Sequence, residues 1–570
     1  MQINLKWKRA LKWISISIGI LLILVLFITV YINAFSQPLL KEKLTATVNK
    51  GSSGLYKLSF KTAKVNLFGG GLNLDSLIIE PNERVFDSLK KVNKAPRFLV
   101  KVNAKQFKLY GLGYLKALFK REIKINDLLL SKPSIIVRHN EEGINSDTAQ
   151  LKKSLYQVIS NEIKLLHIKR ITLAEADFKY FEEKLQRGAI HKVKKIKLIL
   201  TDFLVDSLAE NNVSTVFYSK NINYDFSQIS TKTKDGMYNL EIDSLKGDLE
   251  NKRINVIGLK LNPIYNEMEF SRKYSVQKDR YDLKFDAIEV KELDYVSLFR
   301  KNKILINSLK LSDAKVNVFL NRSIPPPKID KGKNFPHLIL KRLKYHTTID
   351  TVLIKNIDVA YTEYSGETNR KGTFYLSNLN GRILNVTNDA KRITINNKAS
   401  ANLNAKIMGS GNLNVKIDFH LDDDLGRFDY SGSIGKFDLK ELNELSSNLG
   451  MVKVKSGLVN SLQFNATGNW TKGVGTLTFL YKDLKIELLK NEDRRLKSKG
   501  FLTFLANQIL IKSDNPTLKN DEIRKGKIDF NRPPTASFFN LLWKSVFTGI
   551  RETVGIGNIP MKSPPQPKGK

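Results

Sequence analysis

The chain has no cysteine among its 570 residues. This absence excludes a disulfide scaffold, a thiolate zinc site, an iron–sulfur cluster and a cysteine nucleophile. Acidic residues are also scarce, because 56 Asp and Glu stand against 94 Lys and Arg, which gives a net charge of +38. Such a surplus favours anionic partners, either nucleic acid or lipid head groups. A composition biased towards lysine and asparagine is the alternative explanation, and it requires no partner.

Catalytic motifs are missing as well. The patterns HExxH, GxSxG and GxxxxGK[ST] do not occur, and the six histidines are scattered. The nearest approach to a metal site is the run from His420 to Asp424, which strand alternation would place with His420, Asp422 and Asp424 on one side, although a solvated strand end explains it equally well. We therefore predict that the protein is not an enzyme and uses no cofactor or metal. A hydrolase acting through an isolated carboxylate pair is a less favoured alternative.

Only one long hydrophobic run is present. Residues 13–32 contain no charge and are long enough to cross a hydrocarbon core of about 30 Å. The basic segment 1–12 before it favours a cytoplasmic amino terminus, and the run is longer than the apolar core of a cleaved signal peptide. We predict an uncleaved signal anchor, with the rest of the chain on the extracytoplasmic side of the membrane. That location excludes nucleic acid and assigns the basic surplus to lipid or a membrane surface.

A repeated strand pattern dominates the remaining sequence. Apolar residues occur at offsets +0, +2, +5, +7, +12 and +14, with a small residue, proline or apolar residue at +10, in copies that begin at Ile123, Leu166, Ile304 and Thr347. Each pair of copies is 43 residues apart. The change from even to odd offsets after +2 predicts an extra residue, as in a bulge or tight bend, that keeps the apolar side chains on one face. Such repetition is typical of elongated β architectures, whereas chance alternation is the simpler alternative.

These signals predict a mainly β fold, an elongated antiparallel sheet with few short helices, over residues 33–534. Few helices leave the apolar face of such a sheet uncovered, so either a second sheet or a non-protein ligand must fill it. Residues 535–554 are predicted to form an amphipathic helix for a membrane or partner, or alternatively a plug for the protein's own sheet. A disordered basic tail is predicted over residues 555–570. The predicted contact stripe of the helix consists of Phe538, Phe539, Leu542, Trp543, Val546, Phe547 and Ile550.

Several segments together resemble one family. They are the anchor, the stretch LNLDSLIIEP from Leu72, the segment LYGLGYLKALFKREIKINDLLLSKPSIIV from Leu109 and the segment GKFDLKELNELSSNLGMVKVKSGLVN from Gly435. All four segments resemble the AsmA-like proteins of Gram-negative envelopes. The resemblance implies a long curled β-groove of the kind found in bridge-like lipid transfer proteins. It also implies a role in outer-membrane lipid homeostasis.

We therefore expect a non-enzymatic protein that binds or conducts phospholipid along an apolar groove. Its amino terminus would be held in the inner membrane, and its carboxyl-terminal helix would contact the outer membrane or an envelope protein. An envelope assembly scaffold that interacts with outer-membrane proteins is the alternative. The predicted groove residues are Ile123, Ile125, Leu128, Leu130, Leu309, Leu311, Val316 and Val318.

Overall fold

The computed structural model describes residues 37–66, 69–140, 155–161, 163–182, 190–209, 215–492, 495–518 and 521–557. These residues are mainly β and form 23 strands. They divide into two compact units. Unit 1 contains the described residues up to Lys232 together with Glu241–Val256, and unit 2 contains Thr233–Leu240 and the described residues from Ile257 onwards.

Three predicted segments lie outside the described residues. They are the basic segment 1–12, the membrane anchor 13–32 and most of the tail 555–570. Among the helices that the structure does describe, none has the length and apolar character needed to cross a membrane.

Unit 1 combines short helices with strands of up to 18 residues. Its helices are α1 Gln37–Gly51, α2 Glu83–Lys91, α3 Tyr114–Lys120 and α4 Leu155–Ile159. Its strands are β1 Tyr56–Ser59, β2 Thr62–Asn66, β3 Gly71–Pro81, β4 Phe98–Tyr110, β5 Glu122–Ser131, β6 Ser134–His139, β7 Leu165–Glu182, β8 His191–Val205 and β9 Asn221–Lys232. Two further strands, β10 Tyr238–Asp248 and β11 Arg253–Pro263, contain residues of both units.

Unit 2 has longer strands and the carboxyl-terminal helix. Its strands are β12 Arg280–Lys291, β13 Lys303–Asn321, β14 His346–Ser365, β15 Arg370–Thr387, β16 Lys398–Ile407, β17 Gly411–His420, β18 Phe428–Ile434, β19 Phe437–Asp438, β20 Val452–Gly468, β21 Lys472–Glu492, β22 Arg495–Ser498 and β23 Lys525–Asn531. Its α-helices are α5 Glu267–Arg272, α6 Tyr295–Arg300, α7 Pro336–Lys341, α8 Ala390–Ile395, α9 Asn443–Gly450, α10 Gly500–Leu505 and α11 Phe538–Thr553. Short 3-10 helices span Lys331–Asn334 and Leu439–Leu442, and a π-helix spans Ala506–Leu510.

The sequence repeats pair with each other side by side. In unit 1 the copy on β5 runs parallel to the copy on β7, with Ile123 opposite Leu166. In unit 2 β13 runs parallel to β14, with Ile304 opposite Thr347. The predicted antiparallel sheet is therefore wrong at these pairs, and the sheet is mixed. The constant spacing of 43 residues explains the parallel pairing, because it aligns equivalent offsets on adjacent strands.

The irregularity inside each repeat lies later than predicted. The register shifts of β7 against β8 and of β14 against β15 occur between offsets +7 and +12. The residue at +9 has a left-handed backbone in every copy, and these residues are Lys132, Glu175, Asp313 and Asn356. The expected change of face after +2 is present, since Ile125 and Leu128 are both buried, but the residue pairs between β5 and β7 on either side of it keep one register. The extra residue of each repeat therefore lies between offsets +7 and +12, where the apolar offsets change from odd back to even, and not between +2 and +5.

A second, longer repeat relates the two units. Helices α3 and α6 begin 181 residues apart, at Tyr114 and Tyr295, and each is followed by a left-handed residue, Arg121 or Asn302. Strands β5 and β13, which follow these helices, contain offset +0 of their repeats. The block β4–α3–β5 is therefore duplicated as β12–α6–β13.

Unit 1 has a closed hydrophobic core. Buried residues from β1 to β9 form one cluster, to which α1 contributes Leu44 and Val48 and the α4 region contributes Ile159 and Ile163. These helices cover strand side chains that alternation alone would leave exposed on a sheet. At about 25 cal/mol per Å² of apolar area, such coverage is the main stabilising contribution of the unit.

The core of unit 2 lies over β16–β23 and includes α11. Ser545 and Gly549 of α11 rest on Gly473 and Gly526 of the strands, where an added Cβ would meet Ser545 Oγ at 2.4 Å or the Gly549 carbonyl oxygen at 2.0 Å. Leu541 is fully buried between them and the rest of the cluster. The absence of side chains at these positions brings the helix close to the sheet. The helix Phe538–Thr553 lies within the predicted range 535–554 and packs on strands of its own unit.

Candidate functional site

Unit 2 carries a broad apolar surface on β12–β15, which we call the apolar ladder. Directly opposite residues in neighbouring strands point to the same face, so the registers of these strand pairs define its members. They are Tyr281, Leu283, Phe285, Ile288 and Val290 on β12, Leu309, Leu311, Ala314, Val316 and Val318 on β13, Val352, Ile354, Ile357, Val359 and Tyr361 on β14, and Phe374, Leu376, Leu379 and Ile383 on β15. Of these only Ala314, Val352 and Ile357 are buried. Most of the ladder is therefore partly exposed.

The ladder lies on the same face of the sheet as the core of unit 2. Ile383 is opposite Ala401, and the partners continue strand by strand through Ile417, Tyr430, Ala466 and Gly475 to Ile528. Ile528 packs against Gly549 of α11. One face of unit 2 is thus covered by α11 over its carboxyl-terminal strands and partly open over β12–β15.

The two groups of predicted groove residues have different surroundings. Leu309, Leu311, Val316 and Val318 belong to the apolar ladder and are partly exposed. Ile123, Ile125, Leu128 and Leu130 are buried in the closed core of unit 1. In the structure described, only the first group offers surface to a ligand.

A group of charged residues follows the ladder at one end, and we call it the charged end. Glu363, two residues beyond Tyr361 on β14, accepts hydrogen bonds from Nε and Nη2 of Arg322. Asp279, two residues before Tyr281, lies with its Oδ2 4.0 Å from Nζ of Lys331. The ladder face thus changes from apolar to charged within a few residues.

Lys544 of α11 contributes a further cation to the charged end. Its Nζ lies 4.9 Å from the ring centroid of Trp543 and 5.7 Å from that of Phe547. Burial, and next the positive charge of Arg322, lower the pKa of Lys544, while Glu363 acts in the opposite direction. Among the described residues no carboxylate lies within ion-pair distance of its Nζ. The charged end therefore combines three cations with two carboxylates.

The acidic and phenolic groups here also have shifted pKa values. Burial raises the pKa of Asp279 more than the charge of Lys331 lowers it. Burial, and then the negative charge of Asp279, raise the pKa of Tyr281 to about 12. The pKa of Tyr361 is raised in the same way by burial and by Glu363. Desolvation is the largest cause of all three shifts.

The predicted contact stripe of α11 is divided by the structure. Phe538 is buried, whereas Phe539 is 74% exposed and Trp543 is 49% exposed. Leu542, Val546 and Ile550 pack partly against the core of unit 2. The face of α11 that contacts the strands is formed by Leu541, Ser545 and Gly549. The predicted stripe did not include these residues. Hydrophobicity alone did not indicate this face, because a close helix–sheet contact needs small residues such as Ser545 and Gly549.

The acidic run at the end of β17 does not converge on one point. His420 Nε2 lies 2.7 Å from Oδ2 of Asp429, Asp422 accepts a bond from Asn397, and Asp424 pairs with Lys341. Within the part of the chain that the structure describes, no group of three or more His, Asp or Glu side chains has the arrangement of a metal site.

Comparisons with known proteins give no family assignment. No family model matches the chain, and no curated protein is similar to it in sequence. The large, mainly β architecture is compatible with a β-groove fold. The charged end was not predicted from the sequence, because its members come from five separate segments that only the sheet register and α11 bring together.

Proposed function

We propose that the protein binds phospholipid, with its acyl chains lying along the apolar ladder of unit 2. The observation that carries this proposal is the ladder itself, an apolar face four strands wide that stays partly exposed. Soluble domains rarely leave a contiguous apolar surface of this kind without a partner. A fluid ligand with a long hydrocarbon chain suits an apolar face that extends across four strands.

The energetics of lipid transfer make such a surface useful. Burying one methylene group is worth about 0.8 kcal/mol, so a phospholipid with about thirty methylenes meets a barrier on the order of 20 kcal/mol when it leaves a membrane unaided. Contact with the ladder removes part of that barrier for as long as the chains remain on it. The protein would then act as a carrier or as part of a bridge, without catalytic chemistry.

The cellular role that we propose follows from the sequence. The apolar run 13–32 would anchor the chain in the inner membrane, and the remainder would lie in the periplasm. The net charge of +38 suits anionic lipid surfaces. Together with the resemblance to AsmA-like proteins, these features support a role in outer-membrane lipid homeostasis.

The test compares one substitution on the ladder with a matched one on the opposite face. Leu311→Glu places a carboxylate among apolar neighbours, whereas Leu353→Glu lies between Lys310 and Arg382 on the other face of the sheet. Leu353 is already 37% exposed. Lipid is extracted from the purified full chains and quantified by mass spectrometry, with circular dichroism as the check on folding.

We expect several phospholipid molecules per wild-type chain, a several-fold loss in Leu311→Glu and no loss in Leu353→Glu. Equal lipid occupancy in all three folded proteins would reject the ladder as the binding surface. A wild-type protein purified without lipid would reject the function.

The exposed aromatic residues of α11 favour a second candidate function. Phe539 and Trp543 would suit a scaffold that docks on an outer-membrane protein or on the membrane itself. In that case replacing Phe539, Trp543 and Phe547 by Ser would abolish complementation of a deletion strain while lipid occupancy stays unchanged. Normal complementation by that variant would remove the docking role.

A further inference from the structure

The charged end contains a cation, Lys544, that forms no ion pair with the residues the structure describes. Lys544 is partly buried beside two aromatic rings, and the segment that leads into its helix bonds the charged end through the N–H of Lys331 and the carbonyl oxygen of Pro534. The ammonium of Lys544 contacts no carboxylate of the described residues. The guanidinium of Arg322 is already bonded through Nε and Nη2 to Glu363. A partly desolvated cation without a counter-ion is costly, and an anionic ligand would compensate it.

The position of this cation relative to the ladder indicates the shape of the ligand. Tyr361 belongs to the last row of the ladder, and Glu363, the partner of Arg322, follows it on the same strand and the same face. Nζ of Lys331 lies 4.0 Å from Oδ2 of Asp279, which stands two residues before Tyr281. A molecule that follows the ladder would therefore bring its polar end to Lys544, Arg322 and Lys331.

We infer that the charged end binds the phosphate group of an amphipathic ligand, with Lys544 as its principal contact. This inference rests on the proposed function, because the ladder must hold the hydrocarbon part of the same molecule. Lys544 and Lys331 supply flexible point charges that follow a phosphate, and Nη1 of Arg322 remains available for a further hydrogen bond. The carboxylates of Glu363 and Asp279 keep the remaining charge of the site small, which disfavours a highly charged polyanion.

The helix α11 gives this site a defined geometry. The contact of α11 with Gly473 and Gly526 fixes the distance of Lys544 from the sheet, and the rings of Trp543 and Phe547 restrict the lysine side chain. Binding of phosphate therefore needs little ordering of the protein. A less restricted lysine would lose more side-chain entropy on binding.

The experiment uses delipidated full chain and two fluorescent lipids with the same acyl chains, phosphatidylglycerol and diacylglycerol. The test variant is Lys544→Gln. The control is Lys315→Gln, which removes an exposed lysine from the opposite face of β13. Inorganic phosphate is added as a competitor, so that a lipid phosphate can be distinguished from a free anion.

We expect the wild type and Lys315→Gln to bind phosphatidylglycerol more tightly than diacylglycerol. Lys544→Gln should lose about tenfold in affinity for phosphatidylglycerol and none for diacylglycerol, since one charge-assisted contact is removed. Inorganic phosphate at millimolar concentration should not displace the lipid, because it lacks the hydrocarbon part.

The remaining outcomes overturn the inference in separate ways. If both lipids bind equally in every variant, the charged end does not bind phosphate, although the proposed function stands. If Lys544→Gln weakens both lipids alike, the lysine acts by holding α11. If phosphate displaces phosphatidylglycerol and diacylglycerol does not bind, the site takes a free anion. If neither lipid binds the wild type, the proposed function itself fails.

Discussion

The duplicated strand block occurs once in a closed core and once on an open face. Leu109 pairs with Leu128 in unit 1, and Val290 pairs with Leu309 at the equivalent position of unit 2. Both unit 1 residues are buried, whereas both unit 2 residues are partly exposed. The strands, their register and the left-handed residues are alike. The difference therefore comes from what covers the strands and not from the strands themselves.

Most of the ladder in the described part of unit 2 is not covered as the strands of unit 1 are, although Leu445 and Leu449 of α9 lie over Gly372 at one end of β15. Leu44 and Val48 of α1 join the core of unit 1, as does Ile159 of α4. In unit 2 the large helix α11 lies on β21 and β23 instead. A repeated β pattern can thus serve stability in one place and ligand contact in another.

The largest difference in stability between the two units is expected when a charge is introduced at the same repeat offset in β5 and in β13. Ile125→Asp buries a carboxylate in a closed core and should cost about 4 kcal/mol, which is enough to unfold unit 1. Ile306→Asp, at the equivalent offset of unit 2, should cost about 1 kcal/mol because its site is partly open. Hydrogen exchange of the β5 and β13 amides checks this, and equal loss of protection in both variants would contradict the contrast.

A single added methyl group is expected to disturb the packing of α11 on the strands. Gly526→Ala places a Cβ 2.0 Å from the carbonyl oxygen of Gly549, so the helix must shift, at a cost of up to about 3 kcal/mol. Gly450→Ala is the control, because nothing lies within 4 Å of its added Cβ. Trp543 fluorescence and proteolysis within residues 535–554 report the displacement. An undisturbed helix in Gly526→Ala would show that Gly526 and Gly549 are not in close contact.

The covered part of unit 2 should become less stable in mild acid. Burial between Phe419 and Phe428 lowers the pKa of His337 to about 4. Between pH 4 and 6.5 the unfolded chain binds this proton and the folded chain does not, so stability is lost as the pH falls. We expect a loss of about 2 kcal/mol between pH 7.5 and 5 from this group.

His337→Phe keeps the ring contacts and removes the titration. Urea unfolding of the wild type and this variant at both pH values isolates the contribution of the histidine. An identical pH dependence in the two proteins would show that His337 is not neutral in the folded state.

The smallest effect on stability is expected at the start of α11. Phe539→Ser removes a side chain that is 74% exposed and should change the free energy of unfolding by less than about 0.5 kcal/mol. Phe538→Ser, one residue earlier, removes a buried ring and should cost about 3 kcal/mol or more. Thermal unfolding distinguishes them. Similar losses in both variants would show that Phe539 also packs in the core.

Local patterns predicted the strands and their repeats well. The offsets from Ile123 and Ile304 mark real strands, and the spacing of 43 residues corresponds to in-register pairing. The spacing of 181 residues was available from the same offsets and predicts the duplicated block. The direction of pairing was missed, because alternation is the same in parallel and antiparallel strands.

The charged end and the coverage of each face were beyond local patterns. Offsets +0 to +14 are equally apolar in both units, so they cannot show that Ile125 is enclosed and Leu311 is not. Likewise, Lys544 lies within the electrostatic influence of Arg322 on a helix that packs against the sheet at Gly473 and Gly526. Both properties depend on contacts between residues that are far apart in sequence.

The contact of Arg532 with Asp330 bears on the order in which unit 2 folds. Most strands of this unit pair with a neighbour in the chain, and such pairs can form as soon as both strands are synthesised. Arg532 lies after β23, however, and its guanidinium pairs with Asp330 from a segment 202 positions earlier. It also bonds the carbonyl oxygens of Pro533, Pro534 and Ala536, directly before α11. The start of α11 is therefore fixed only after nearly the whole unit has left the ribosome.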